Sequence, residues 1–276
     1  MRVLPAPLAS LSVRSTTEKL EDIVSSGILS NRVGIVTGAG SGIGRGIALQ
    51  CARAGAHIVV ADINESSAKA VCKEIAGEGG TAVAVTCDVS NEESASSLVS
   101  RTADEYGRID ILVNNAFWHA GYCAAEDVSV ADFDHCMRVG AYGTLYLSQR
   151  VFPYMKDSGG RIINIGSEMS DQPLFGRIAY ASMKGAVRSM TKACARDWGS
   201  YGITVNMVWP NAVTPGWESF AAAHPEEEAK VLADMALHRP GSPIDDVAPV
   251  VVFLASESAR WITGQTLVAN GGRTML

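Results

Sequence analysis

Neither CxxC among the six cysteines nor HxxxH or HExxH among the five histidines occurs in this chain of 276 residues. Metal ligands need such spacings to converge on one ion, so no metal site is expected. The unpaired cysteines, at 51, 72, 87, 123, 136 and 194, mostly fall in segments that read as strands or helices. They are expected to be buried, reduced thiols of a cytoplasmic protein. Basic clusters are also missing: 23 Lys and Arg face 29 Asp and Glu, for a net charge of -6. That balance excludes a broad nucleic-acid-binding face. No stretch reaches the roughly 18 apolar residues that cross a bilayer. The most apolar stretch, 247–255, is short and carries Pro249. No internal repeat and no low-complexity tract is present.

What is present suits one globular unit. Hydrophobic residues make up 47% and charged residues 19%, enough for a large core. Residues 1–30 hold Ser, Thr and Pro with little periodicity before Leu20. They are expected to form a poorly ordered or packing arm rather than a targeting signal. From residue 31 to 276, short apolar runs alternate with helical patterns. The runs are 33–37, 57–61, 82–87, 111–114, 161–165, 203–208 and 266–269. Most are continuous in Val and Ile, the pattern of strands buried on both faces. Helical patterns cover 43–54, 65–77, 92–106, 131–155, 179–199, 227–237 and 245–256. The expected fold class is α/β, a single doubly wound, seven-stranded parallel sheet with helices on both faces. Ligands of such sheets bind beyond the carboxyl ends of the strands.

Candidate chemistry falls at those ends. The first strand runs into Thr37-Gly38-Ala39-Gly40-Ser41-Gly42-Ile43-Gly44 and a helix follows at once. Glycines allow the tight turn and let backbone N–H groups approach a pyrophosphate, and the helix start adds partial positive charge. The literal G-x-G-x-x-G spacing is absent. Asp62 ends the second strand, 18 residues beyond Gly44. A carboxylate there accepts hydrogen bonds from ribose hydroxyls and repels a 2′-phosphate. No Lys or Arg at 63–68 offsets it, although Arg45 follows the loop. NAD is expected over NADP.

Tyr180 and Lys184 stand four apart on one helical face. A free phenol has a pKa near 10, and a neighbouring ammonium lowers it by stabilising the phenolate. Ser167 follows the strand 161–165 and can hold a substrate oxygen beside the tyrosine.

Together with Asp88-Val89, Asn114-Asn115-Ala116 and Thr263-Gly264-Gln265 before Gly271-Gly272, these residues resemble the short-chain dehydrogenase/reductase family. The resemblance covers residues 30 to 272 and implies a Rossmann-type sheet and a nicotinamide cofactor. It implies Tyr180 as acid–base, Ser167 as substrate-oxygen ligand, and Lys184 as tyrosine-tuner and ribose ligand. Gly38, Ser41, Gly42, Ile43, Gly44 and Asp62 would hold the cofactor, as would Asp88, Val89, Asn115, Tyr180, Lys184 and the Val213 backbone. A homo-oligomer, tetramer or dimer, would form through 131–155, 179–199 and 245–276.

The pattern breaks at three places. Gly140 stands where the family has an Asn that helps hold a relay water, and a water could fill the vacated space. Pro210-Asn211 replaces Pro-Gly, a turn that Asn can preserve by adopting left-handed backbone. Asn270 and Phe117 replace an Asp and a Gly; Phe117 places an aromatic beside the cleft.

The rim is rich in aromatic and sulfur side chains. Trp118, Met169, Phe175 and Trp217 are the expected substrate contacts, with Trp209 and His119 nearby in sequence, and Glu168 could orient a polar substituent. A cyclic or aryl secondary alcohol, or its ketone, fits such a rim. The expected protein is an NAD(H)-dependent oxidoreductase. The competing expectation is a cofactor-binding relative with weak or no turnover and a regulatory role.

Overall fold

The computed structural model describes residues 27–276. Seven parallel strands form one sheet in the order β3-β2-β1-β4-β5-β6-β7. They are β1 (Val33–Thr37), β2 (His57–Asp62), β3 (Thr81–Thr86), β4 (Ile111–Asn114), β5 (Gly160–Ile165), β6 (Ile203–Pro210) and β7 (Thr266–Ala269). Each matches its expected run to within two residues. The fold class is the doubly wound sheet that the alternating runs predicted.

Helices α1 (Gly42–Arg53), α2 (Glu65–Gly77) and α3 (Glu92–Tyr106) begin where expected. Asn64 and Asn91 cap α2 and α3 by accepting from the amides of Ser67 and Ser94. One side of the sheet packs Val36, Ile58, Val60, Val113 and Ile163 against Ile47 and Cys51 of α1 and Val71 and Ile75 of α2. The other packs Ile35, Val59, Leu112 and Ile162 against Leu98 of α3 and Leu147 and Val151 of a later helix. Successive strand residues alternate between these two cores, which is why the runs carry no polar face. Each fully buried aliphatic side chain contributes about 1.5–3 kcal/mol.

Three helical expectations change. The segment 131–155 is α4 (Val130–Met137), a π-helical turn (Arg138–Tyr142) and α5 (Gly143–Met155). The wide turn centres on Gly140, which lacks the side chain that would pack a regular turn. After α6 (Ile178–Trp198), the segment 211–240 holds two helices where one was expected: α7 (Pro215–Ala223) and α8 (Pro225–Asp234). Prolines open both, because the missing N–H costs nothing at a first helical position. A second π turn (Pro243–Val247) precedes α9 (Ala248–Ala255).

Of the expected N-terminal arm, residues 1–26 lie outside the described residues. Leu29 is buried, and its amide donates to the Ala54 carbonyl at 2.8 Å, tying it to the end of α1. All six cysteines are free thiols: Cys51, Cys87 and Cys136 are buried and the others half-buried. Among the described residues no helix is long and apolar enough to cross a membrane.

Candidate active site

The sheet order reverses between β1 and β4, and parallel register brings their ends level. Val36 pairs with Val60 of β2 and with Val113 of β4. The residues that follow these strands therefore meet at one edge. Gly38 and Gly42 carry φ of 59° and 52°, the left-handed region that glycine adopts without strain. A Cβ on Gly44 would stand 2.2 Å from the Gly38 carbonyl oxygen, so the helix start can lie against the strand end only without one.

Asn115 fixes this turn. Its Nδ2 donates to the carbonyls of Thr37 (2.9 Å) and Gly38 (3.1 Å), and its amide donates to Thr37 Oγ1 at 3.0 Å. Ser41 occupies the N-cap of α1, but its side chain caps nothing and no acidic residue lies in the first turn. The start of α1 thus presents amide donors and partial positive charge, which fits a dinucleotide pyrophosphate.

Asp62 reaches the same loop, accepting from the Gly40 amide at 2.8 Å and the Asn64 amide at 2.9 Å. Arg45, which follows the glycine turn, is paired to Glu74 of α2, and Lys69 to Glu65. Asp88 Oδ1 accepts from the amide and hydroxyl of Ser90 at 2.9 and 2.7 Å, and Val89 is buried against Gly143. The Val213 amide donates to the Gly241 carbonyl at 2.8 Å. Asn211 follows Pro210 without left-handed backbone, so the glycine of the family turn is replaced with no such demand.

Ser167 lies two residues past β5 and caps the short turn Glu168–Ser170, its Oγ accepting from the Met169 amide at 3.2 Å. Tyr180 and Lys184 face it from the first turns of α6. Lys184 is buried, and its Nζ donates to the Ile165 carbonyl, the last of β5, at 2.7 Å. Burial lowers its pKa to about 8.

Burial pushes the Tyr180 phenol up to about 12, and the Ser167 hydroxyl and the Arg177 charge both pull it back. Desolvation is the largest cause of that rise, and Arg177 is a cation that opposes it. Lys184 Nζ stands 5.6 Å from the Tyr180 ring centre and 5.4 Å from that of Phe117.

The rim separates into three groups. Phe117 and His119 flank Tyr180, with ring centres 5.8 and 6.0 Å from it. Trp118 instead packs into the third core with Cys136 and Met183, and meets His135 edge-on at 4.6 Å. Trp209 is wholly buried there. Met169 is half-buried beside Ser167, and Trp217 sits on α7 with its amide on Thr214 Oγ1 at 3.2 Å. Phe175 is 84% exposed and packs against no other ring in the described structure.

Two further expectations are corrected. The space at Gly140 is occupied: a Cβ there would stand 2.2 Å from Met183 Sδ and 2.4 Å from its Cγ. Met183 is fully buried, so the thioether fills the volume a water was expected to take. Glu168 is also engaged. Its Oε1 pairs with Arg273 at 2.9 Å, and its Oε2 accepts from Thr274 Oγ1 at 2.5 Å. Its carboxylate is thus turned toward the C-terminal residues rather than presented unpaired to a substrate. Asn270 sets up this strap by accepting from the Gly272 amide at 3.1 Å.

Sequence reasoning passed over Arg177, whose only signal was a cation three residues before the tyrosine. Its guanidinium lies 3.7 Å above the Tyr122 ring centre and 2.9 Å from His119 Nδ1.

Comparison with known proteins agrees with this geometry. A protein-family model described as enoyl-(acyl carrier protein) reductase matches residues 38–274. The L-fucose dehydrogenase of Bos taurus is 38% identical over 88% of this chain and 89% of its own. The 7alpha-hydroxysteroid dehydrogenase of Escherichia coli K12 is 38% identical over 88% of this chain and 94% of its own. A solved 7alpha-hydroxysteroid dehydrogenase, complexed with NADH and 7-oxo glycochenodeoxycholic acid, superposes with a TM-score of 0.84 at 37% identity. That match covers 90% of this chain and 96% of the other. By sequence, fold and the arrangement of its candidate site, this chain belongs to the short-chain dehydrogenase/reductase family of oxidoreductases.

Proposed function

We propose that the protein interconverts a secondary alcohol and a ketone with NAD(H), on a cyclic or aryl substrate, and that Tyr180 is its acid–base. The observation that carries this reading is the convergence of Ser167, Tyr180 and Lys184 beyond β5, on the same sheet edge as the glycine turn after β1. A bound nicotinamide would supply the hydride in reduction and accept it in oxidation. Ser167 holds the substrate oxygen, and Tyr180 gives that oxygen its proton during reduction or takes it during oxidation. With its pKa pushed up to about 12, the phenol is protonated at neutral pH and ready to donate. Phe117 gives the site an apolar wall suited to a flat ring, with the His119 imidazole beside it.

NAD rather than NADP is supported by Asp62 at the end of β2 and by Arg45, whose charge is taken up by Glu74. A 2′-phosphate would meet a carboxylate with no free cation beside it.

The test is a titration of NADH beside NADPH, followed by turnover on cyclic and aryl alcohols and ketones. Tight NADH binding is expected, with turnover that falls by a factor of about 100 or more in Y180F while NADH affinity is kept. Undiminished turnover in Y180F removes Tyr180 from the mechanism. NADH binding without turnover on any panel member favours the non-catalytic reading.

A further inference from the structure

We propose that Arg177 receives an anionic substituent of the substrate, so that the substrate is a ring ketone or alcohol carrying a carboxylate. The proposal rests on the reading of Tyr180 as acid–base and names the chemistry of what that site takes.

Charge is the first argument. The other arginines near the site are matched by carboxylates: Arg188 by Asp171 at 2.6 Å, and Arg273 by Glu168 at 2.9 Å. Arg177 forms no ion pair among the described residues, and its Nε is buried without a hydrogen-bond partner. Glu168 pairs with Arg273 and accepts from Thr274 rather than meeting Arg177.

Position is the second. Arg177 is the N-cap of α6, three residues before Tyr180. Its Nη1 touches His119, whose ring stands edge-on to Tyr180 at 6.0 Å. His119 Nδ1 also lies 3.0 Å from the Ala120 carbonyl, so the ring sits between that oxygen and the guanidinium. The guanidinium charge rests on the face of exposed Tyr122, beside the site.

A guanidinium that is partly desolvated and lacks a counter-charge binds a planar carboxylate through its fork of N–H donors. A substrate whose reacting carbon lies at Tyr180 and whose acid group lies across the ring would span the two.

The test compares NADH-dependent turnover of 4-oxocyclohexanecarboxylate and cyclohexanone by the full-length protein and by R177M and R177K. The native protein is expected to prefer the keto acid in kcat/KM by roughly tenfold or more. R177M should abolish that preference by raising KM for the keto acid alone, on top of any change in kcat shared by both ketones from losing a charge near Tyr180, and R177K should restore part of it. No preference in the native protein overturns the proposal before any variant is made. So does equal loss on both ketones, the mark of a residue that only props the 117–122 loop.

If neither ketone turns over, the proposed function fails on its own account, and binding decides the inference. Benzoate and benzyl alcohol would be titrated into NADH-loaded protein, read by the fluorescence of bound NADH. Benzoate binding that weakens in R177M upholds the role of Arg177; binding unchanged in R177M, or none in the native protein, overturns it.

Discussion

Gly140 and Met183 share one volume, and neither residue is intelligible without the other. Adding a methyl at 140 would drive it into a buried thioether, and G140A is expected to cost about 1–3 kcal/mol despite the better helix propensity of Ala. M183A alone should cost about 2–5 kcal/mol through the cavity it leaves. If the two residues fill the same space, the double variant will cost less than the sum in urea unfolding, and strictly additive costs would refute the account. The candidate residues Ser167, Tyr180 and Lys184 were legible because one follows a strand end and the other two share a helix face four residues apart. The filler was not, since Met183 meets Gly140 only after α4 and α6 pack together. Arg177 belongs to no motif, and only its missing counter-charge in the folded protein sets it apart.

Among elements, strands were read closely because Val and Ile runs buried on both faces tolerate little else. The π turn at Arg138–Tyr142 was invisible: one extra residue per turn shifts the apolar period too little to notice. Helix α7 was missed because its nine residues begin with Pro-Gly and end in alanines, a composition shared with loops. The C-terminal strap was illegible for another reason, that it acts across 106 positions, from Thr274 to Glu168. It anchors the turn that holds Ser167. R273A is therefore expected to speed amide exchange across residues 168–172 and to raise KM severalfold, with the global unfolding midpoint shifted by about 1 kcal/mol or less. Exchange at those amides unaltered from the native protein would show that the strap holds nothing.

For the molecule as a whole, the strand–helix alternation was enough to name the sheet class, and the rule that ligands sit past strand ends pointed to the candidate site. Self-association is implied only by the resemblance, and exposed aromatic side chains give it a physical motive. Tyr154 on α5, Phe253 on α9 and Trp261, which is 96% exposed, leave large apolar surface in the expected interface segments. Sedimentation velocity is expected to give a dimer or tetramer at micromolar concentration, and W261S with Y154S to shift it toward monomer. A native monomer under those conditions would assign these side chains another purpose. The strand order also dictates a sequence of events during synthesis. As the chain emerges, β1, β2 and β3 can assemble by local βαβ steps, and the glycine turn exists from the first of them. The asparagine whose side chain holds that turn follows 77 residues later, just behind β4. A nascent chain halted before that point would carry the turn without its latch, and would have to await the second half of the sheet before gripping a dinucleotide.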